Sequence, residues 1–343
     1  MRQLLNTLYV NTPDSYLASD GNNVIIKIKN NVVGRLPLQN FESIVTFSYS
    51  GVSPSLMQKC LEQGIRISFL SRSGRLKGRV VGEPRGNVYL RKTQFFNSEN
   101  DAASLLIAKN MIIGKVYNHR WIIERFIRDH GMQIDKDKFK SISKELKEGL
   151  DNLQQVNTVD SLRGIEGALA TSYFSIFDNM IINQKNDFFY HGRSRRPPLD
   201  RLNALLSFSY SLLANECADA LTANGLDPYE GFMHVDRPGR KSLALDLMEE
   251  LRGVIADRFV LRLVNKKEIH GSDFICKPDG AYLLTDDARK LFLSKWQNNK
   301  MSVLEHPFLK EKIEWGLVPF AQAQLLARYL RGDLDEYPPF MWK

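Results

Sequence analysis

The apolar residues of this chain change period once. Up to about residue 95 they come in short alternating runs broken by turn residues, and from about residue 105 they recur at helical spacing. A chain with that order of periods calls for an α+β fold: a small N-terminal β-rich domain followed by a larger all-helical domain. The polar stretch NSENDA, between Phe96 and Ala103, sets the boundary, giving domains 1–96 and 105–343 joined by a linker at 97–104. At 343 residues the chain is long enough for both cores.

Within the first region, strands are expected at 4–10, 16–18, 24–28, 67–70 and 76–81. Turns are expected at Asp20-Gly21-Asn22, Asn30-Asn31 and Ser73-Gly74. One helix interrupts them at 53–63, opened by Ser53-Pro54 and closed by Gly64. Arg72, Arg75, Lys77, Arg79, Arg85, Arg91 and Lys92 form a basic cluster that suits phosphates if several share a face, or an edge strand guarded against pairing. In the second region, helices are expected at 105–128, 139–153, from Asp160 as cap through Glu166, and at 199–221. A further helix runs from Ser242 through Asp257, Arg258 and Arg262. A hairpin at 274–284 leads to a helix capped by Thr285, then a final helix at 313–330 and an extended tail, DLDEYPPFMWK.

Charge narrows the class of partner. The net charge is +8 and the isoelectric point about 9.2, which favours an acidic partner, nucleic acid first. Three scattered cysteines, Cys60, Cys217 and Cys276, fit neither a disulfide framework nor a zinc cluster, and a reducing cytoplasm is expected. The chain has neither a signal-peptide core nor a run approaching the ~18 apolar residues of a membrane span.

The stretch richest in chemistry is GFMHVDRPGRKSLALDLMEELR, 231–252. His234 stands in a loop punctuated by Pro238 and Gly239, Ser242 is placed to cap the next helix, and Leu243, Leu247 and Leu251 repeat at helical spacing. Asp246 and Glu249 then project from one side of that helix. Imidazole with carboxylate oxygens suits Mn²⁺ or Mg²⁺. A third donor is Glu166 in DSLRGIEGALATSYF, flanked by Gly164 and Gly167; each glycine costs a helix about 1 kcal/mol against alanine, and close approach of a backbone or ligand would explain them. Each piece has an ordinary alternative: a hydrogen-bonded loop histidine, a solvated acidic helix face, a tight helix crossing. The loop NQKNDFFYHGRSRRPP, 183–198, joins Phe188, Phe189 and Tyr190 to Arg193, Arg195 and Arg196, a composition that stacks bases and pairs phosphates, or else tucks its rings onto the core.

The series GIEG with a following YF, then GFMH, then LALDLMEELR resembles the CRISPR-associated integrase and endonuclease family that acquires new spacers, with the flavour of its type I-C members. RQLLNTLYVNTPDSYL, GNVYLRKTQ and RSRRPPLDRLNALLSFSYSLL are similar to the same family, so the resemblance spans nearly the full length. It implies that Glu166, His234 and Glu249 hold Mg²⁺ or Mn²⁺, with Asp246 close enough to support or share the ion and Glu250 in reserve one position on. It implies a metal-dependent transesterification in which the 3′-hydroxyl of a short DNA duplex attacks a CRISPR repeat boundary. Arg193, Arg195, Arg196 and Arg252 are the candidate DNA contacts. The resemblance also implies a homodimer, an N-terminal domain that supports dimerisation and DNA, and a small ferredoxin-like CRISPR-associated partner in a higher-order complex. A structure-specific DNA repair nuclease of the same fold shares this chemistry, and a non-catalytic DNA-binding scaffold shares the charge.

Overall fold

The computed structural model describes residues 6–12, 14–72, 74–80, 82 and 88–343. The expectations placed on residues 4 and 5, Ser73, Val81 and Arg85 lie outside the described residues. In chain order the first segment holds strands β1 (Thr7–Val10), β2 (Ser15–Asp20), β3 (Asn23–Ile28), β4 (Asn31–Pro37) and β5 (Ser43–Thr46). Helix α1 (Pro54–Glu62) follows, then β6 (Arg66–Leu70) and β7 (Leu76–Val80). The helices α2 (Val88–Ser98), α3 (Asp101–His130), α4 (Lys136–Gln154), α5 (Val159–Ser175), α6 (Arg201–Ala223), α7 (Ser242–Leu251) and α8 (Arg258–Asn265) come next. A hairpin of β8 (Phe274–Cys276) and β9 (Tyr282–Leu284) precedes α9 (Asp286–Lys300). The chain then forms β10 (Val303–Glu305), β11 (Lys312–Glu314) and α10 (Val318–Leu330).

These elements pack as two compact units, Met1–Pro84 with Ser272–Ser302, and Arg85–Gly271 with Val303–Lys343. The polar stretch that the sequence marks as linker is the end of α2, a short break and the start of α3, whose cap is the Asn100 side chain on the Ala103 amide. Of the basic cluster, Arg72, Arg75, Lys77 and Arg79 belong to the first unit, Arg91 and Lys92 to the second.

In the first unit β1, β5 and β6 run parallel and β7 closes one edge antiparallel, while β2, β3 and β4 form a separate antiparallel meander. Leu17, Val24, Leu38, Ile44, Leu56, Cys60 and Ile67 make its core. Ser53 caps α1 as expected, accepting from the Leu56 amide at 3.2 Å. The β3–β4 turn is Lys29-Asn30, one residue earlier than the Asn-Asn signal; both have positive φ, +46° and +66°, as a tight hairpin turn requires. What brings 272–302 into this unit is invisible locally: buried Arg289 of α9 donates to Asn11 beyond β1, and the Asn11 amide donates to the Asp286 carbonyl at 2.9 Å.

The second unit is built on α3, thirty residues long, against which α4, α5 and α7 pack. α7 runs into a π-helical turn, Arg252–Asp257, and on into α8, the continuous helix anticipated through Asp257, Arg258 and Arg262. The cap on α5 is Thr158 rather than Asp160, which sits in the first turn, and Ser242 is the first residue of α7 rather than its cap. The tail beyond α10 forms no further helix or strand, and its Tyr337, Phe340 and Trp342 are buried. Among the described residues no helix is long and apolar enough to cross a membrane.

His306 in this unit is a pH reporter. Its Nε2 lies 3.1 Å from Gln322 Oε1 and its Nδ1 accepts from the Phe308 and Leu309 amides, so the neutral ring fits. Burial lowers its pKa to about 4, against the opposing Gln322 bond. A depressed histidine pKa means stability is intact above about pH 6.5 and is lost as pH falls toward 4. Glu250, whose pKa burial lifts to about 7, pulls the other way over the same window, so the check is a difference: between pH 7 and 4.5 the Tm of wild type will fall relative to that of His306→Asn.

Candidate active site

The loop before α7 is folded around one carboxylate. Asp246, almost wholly buried, accepts from the backbone amides of Phe232 (2.7 Å), Met233 (3.0 Å) and His234 (3.0 Å), and its Oδ1 lies 2.5 Å from His234 Nδ1. Gly231 is required for this wrap: a Cβ there would stand 2.7 Å from Ser242 Cβ and 2.8 Å from Asp246 Oδ2. Two other elements hold the loop. Gln94 of α2 donates to the Asp227 and Glu230 carbonyls at 2.8 and 2.9 Å, and Arg163 of α5 donates to the Met233 carbonyl, Nε at 2.9 Å. Arg163 precedes Glu166 by one helical turn, so the same helix that clasps the histidine loop also carries the glutamate.

Glu166 and Glu249 meet on Lys115. The Lys115 ammonium, on α3 and 2% exposed, bonds to Glu166 Oε1 and lies 2.6 Å from Glu249 Oε2. Arg252 reaches both Glu249 oxygens at 3.2 Å, one turn along the helix. Burial acts to raise the Glu249 pKa, and the charges of Lys115 and Arg252 with the Lys115 hydrogen bond more than reverse it, holding the group far below the carboxylate range. The His234 side chain makes the smallest contribution among the groups that lower it.

Glu250 faces the other way. Its Oε1 accepts from Tyr337 Oη and from Gln322 Nε2 at 3.0 Å, and its Oε2 from the Phe340 amide at 2.8 Å. Burial outweighs those three bonds and lifts its pKa to about 7. The adjacent glutamates that spacing left ambiguous thus occupy opposite sides of α7, one toward Glu166 and Lys115, one toward the tail.

Behind Arg252 lies a buried polar relay. The guanidinium stacks over the Tyr210 ring at 4.5 Å, and Tyr210 Oη and Tyr173 Oη both donate to Asp257, Tyr173 at 3.4 Å. The His119 and Tyr173 rings stack at 3.8 Å, and Gly253, at the start of the π turn, leaves room for His119: a Cβ would sit 2.7 Å from its ring. π turns of this kind recur at functional sites because the extra residue re-aims side chains.

The family model for "CRISPR associated protein Cas1" matches residues 8–298. The chain belongs to the Cas1 family. A Cas1 relative from Rhodospirillum rubrum, named CRISPR-associated endonuclease Cas1 2, is 47% identical over 347 residues, covering the whole of both chains. Two solved structures share the fold. A casposase bound to integration product has a TM-score of 0.83 at 23% identity, over 98% of this chain and 93% of its own. A Cas6-RT-Cas1–Cas2 complex has a TM-score of 0.81 at 20% identity, over 100% of this chain and 36% of its own.

On this Cas1 fold the expected site residues divide. Glu166 and Glu249 converge, and His234 is held by Asp246, whose two oxygens also take the three loop amides. Gly164 and Gly167 have nothing within 4 Å of a built Cβ, so no neighbouring segment of this chain accounts for them. Of the arginines read as DNA contacts, Arg252 is 9% exposed and paired, and Arg193 is turned inward, to Asn203 Oδ1 (2.6 Å) and Ser207 Oγ (3.0 Å); Arg195 and Arg196 are exposed. Phe188 and Tyr190 pack into the core, leaving Phe189 at the surface. Lys115, Arg163, Tyr210 and Asp257 went unread. The signal for Lys115 was there: Lys115, Asn118 and His119 fall on one face of an otherwise apolar stretch of α3, and all three are buried.

Among the described residues no group of three His, Cys, Asp or Glu side chains is arranged to hold a metal. The donor set nevertheless fits a hard divalent cation, because two carboxylates already share one cation, the Lys115 ammonium, and the nearby imidazole has Nδ1 committed to a carboxylate, the arrangement that orients Nε2 toward a metal. Asp246→Asn, which removes the charge that orients His234 but keeps its size, will weaken Mn²⁺ binding by about 10–100-fold, read by titration of the purified protein.

Proposed function

We propose that this protein is a metal-dependent DNA endonuclease and integrase that inserts new spacers into a CRISPR array. The observation that supports the reading is the convergence of Glu166 and Glu249 on a single cation position; His234, fixed by Asp246, belongs to the loop that the Glu166 helix clasps through Arg163. Glu166, His234 and Glu249 would hold Mg²⁺ or Mn²⁺. When bound, the ion supplies Lewis-acid polarisation of a phosphodiester and lowers the pKa of the attacking hydroxyl. His234 would act as a ligand and not as a general base, because the ion lowers the pKa of the nucleophile and lessens the need for one; its Nδ1 bond to Asp246 leaves Nε2 for the ion. Arg252, held by Glu249 and the Tyr210 ring, adds fixed positive charge where negative charge builds.

The reaction is a transesterification. A 3′-hydroxyl oxygen bonds to phosphorus at the repeat boundary, the P–O bond to the 3′ oxygen of the flanking strand breaks while the repeat keeps its 5′ oxygen on phosphorus, and the proton lost by the attacking hydroxyl is matched by one taken up by the leaving 3′ oxygen. One phosphodiester replaces another, so no energy donor is required. Water in place of the 3′-hydroxyl gives hydrolysis. Arg195 and Arg196 would hold DNA from the loop after α5, and the first unit would support a homodimer and DNA. The solved Cas6-RT-Cas1–Cas2 complex that shares this fold supports a CRISPR-associated partner in a higher-order assembly.

The test is an integration assay with the protein and its partner, a short 3′-hydroxyl duplex and a supercoiled plasmid bearing the repeat, in Mn²⁺, Mg²⁺ or EDTA. Joining is expected only with metal and will be lost in His234→Ala. Nicking without joining would favour a repair nuclease; DNA binding without either would favour a scaffold.

A further inference from the structure

A buried lysine stands where the candidate ligands meet. Lys115 projects from the middle of α3, its ammonium is all but inaccessible, and its carboxylate partners are the two that the proposed function assigns to the metal, Glu166 of α5 and Glu249 of α7. An ammonium is removed from water at high cost unless fully paired, and two carboxylates drawn to one point repel unless a cation lies between them. Each side of this contact is what makes the other tolerable. A lysine is also a compact charge on a four-carbon stem, able to rotate away without moving its helix.

We propose that Lys115 is the resident counter-cation of the Glu166–Glu249 pair. In the metal-free protein it holds α5 and α7 together at the site, and it competes with the divalent cation for the same carboxylate oxygens. Metal loading is then a cation exchange, in which Lys115 leaves the shared oxygens as the ion takes them. Lys115 is a positioning residue: it acts on the two carboxylates and forms no bond to DNA. The inference rests on the reading of Glu166 and Glu249 as ligands.

Two measurements on the full-length protein test it: thermal unfolding in EDTA, and Mn²⁺ titration followed by the electron paramagnetic resonance of the free ion. Lys115→Met keeps the stem and removes the charge. It should melt below wild type in EDTA, regain much of the difference when Glu166→Gln is added, and bind Mn²⁺ at least about tenfold more tightly than wild type. Lys115→Arg, which keeps the charge, should stay near wild type in melting. If Lys115→Met does not fold without metal, refolding in Mn²⁺ must recover it, because the ion then stands where the ammonium stood; no recovery overturns the proposal. Mn²⁺ affinity in Lys115→Met equal to or weaker than wild type also overturns it, while wild-type binding lost in Glu249→Gln leaves the ligand reading standing. If wild type itself binds no Mn²⁺, the ligand reading fails and the exchange with it.

Discussion

Glu249→Gln will remove metal-dependent cleavage and joining of DNA by about 10³-fold or more, while DNA affinity stays within a few-fold of wild type. The glutamine keeps the size of the side chain, and Glu166 still pairs Lys115, so the variant will fold, with a lower Tm than wild type; what disappears for the ion is the negative charge that a divalent cation needs. Glu166→Gln should behave alike, because both carboxylates meet at the same cation position. Rates measured in Mn²⁺ beside filter-binding of the same duplex separate the two quantities. Full activity in either variant would remove that residue from the ligand set.

Glu250→Ala will do the opposite, lowering stability rather than acting at the metal. It strands Tyr337 Oη and the Phe340 amide without their shared acceptor, leaves Gln322 Nε2 only Tyr337 Oη and the Pro338 carbonyl, and opens a void beneath the tail. Orphaned buried donors and a lost buried carboxyl together cost about 3–5 kcal/mol, a fall in Tm on the order of 10 °C. Calorimetry on the purified variant measures this, and Mn²⁺ affinity at a temperature where it remains folded should match wild type. A stable Glu250→Ala that no longer binds Mn²⁺ would exchange the roles of the two neighbours.

Why two adjacent glutamates diverge is a matter of angle. Successive residues on a helix point about 100° apart, so on a helix buried all round they enter different environments. The pattern LALDLMEELR shows a helix with apolar repeats; it does not show that every side of it is covered. Carboxylates at such positions read as a solvated face because solvated acidic faces are common, yet Asp246, Glu249 and Glu250 are all buried, each against its own partners. Those partners come from 12 to about 130 residues away in sequence, from the loop at 232–234, from Lys115, and from the tail at 337–340.

The N-terminal region shows the same division. Its strands, its one helix and the serine cap were legible because alternation, turn chemistry and capping act within a few residues. The assignment of α9 to that unit was not, since it depends on Arg289 meeting Asn11 across some 280 positions. The loop at 183–198 carried both readings in its composition: only packing decided that Phe188, Tyr190 and Arg193 turn inward while Phe189, Arg195 and Arg196 stay outside.

By itself the sequence determined the order of a β-rich region and a helical one and, through its motifs, the family, and it marked Glu166, His234, Asp246 and Glu249 as candidates, with Glu250 in reserve. Those features are written in periodicity and short patterns, which depend on neighbours along the chain. Only the tertiary structure decided that Asp246 serves the histidine, that Glu250 serves the tail, and that a lysine from α3 lies between the two carboxylates. A buried charge is defined by what lies across the core from it, and no local pattern records which distant residue that is.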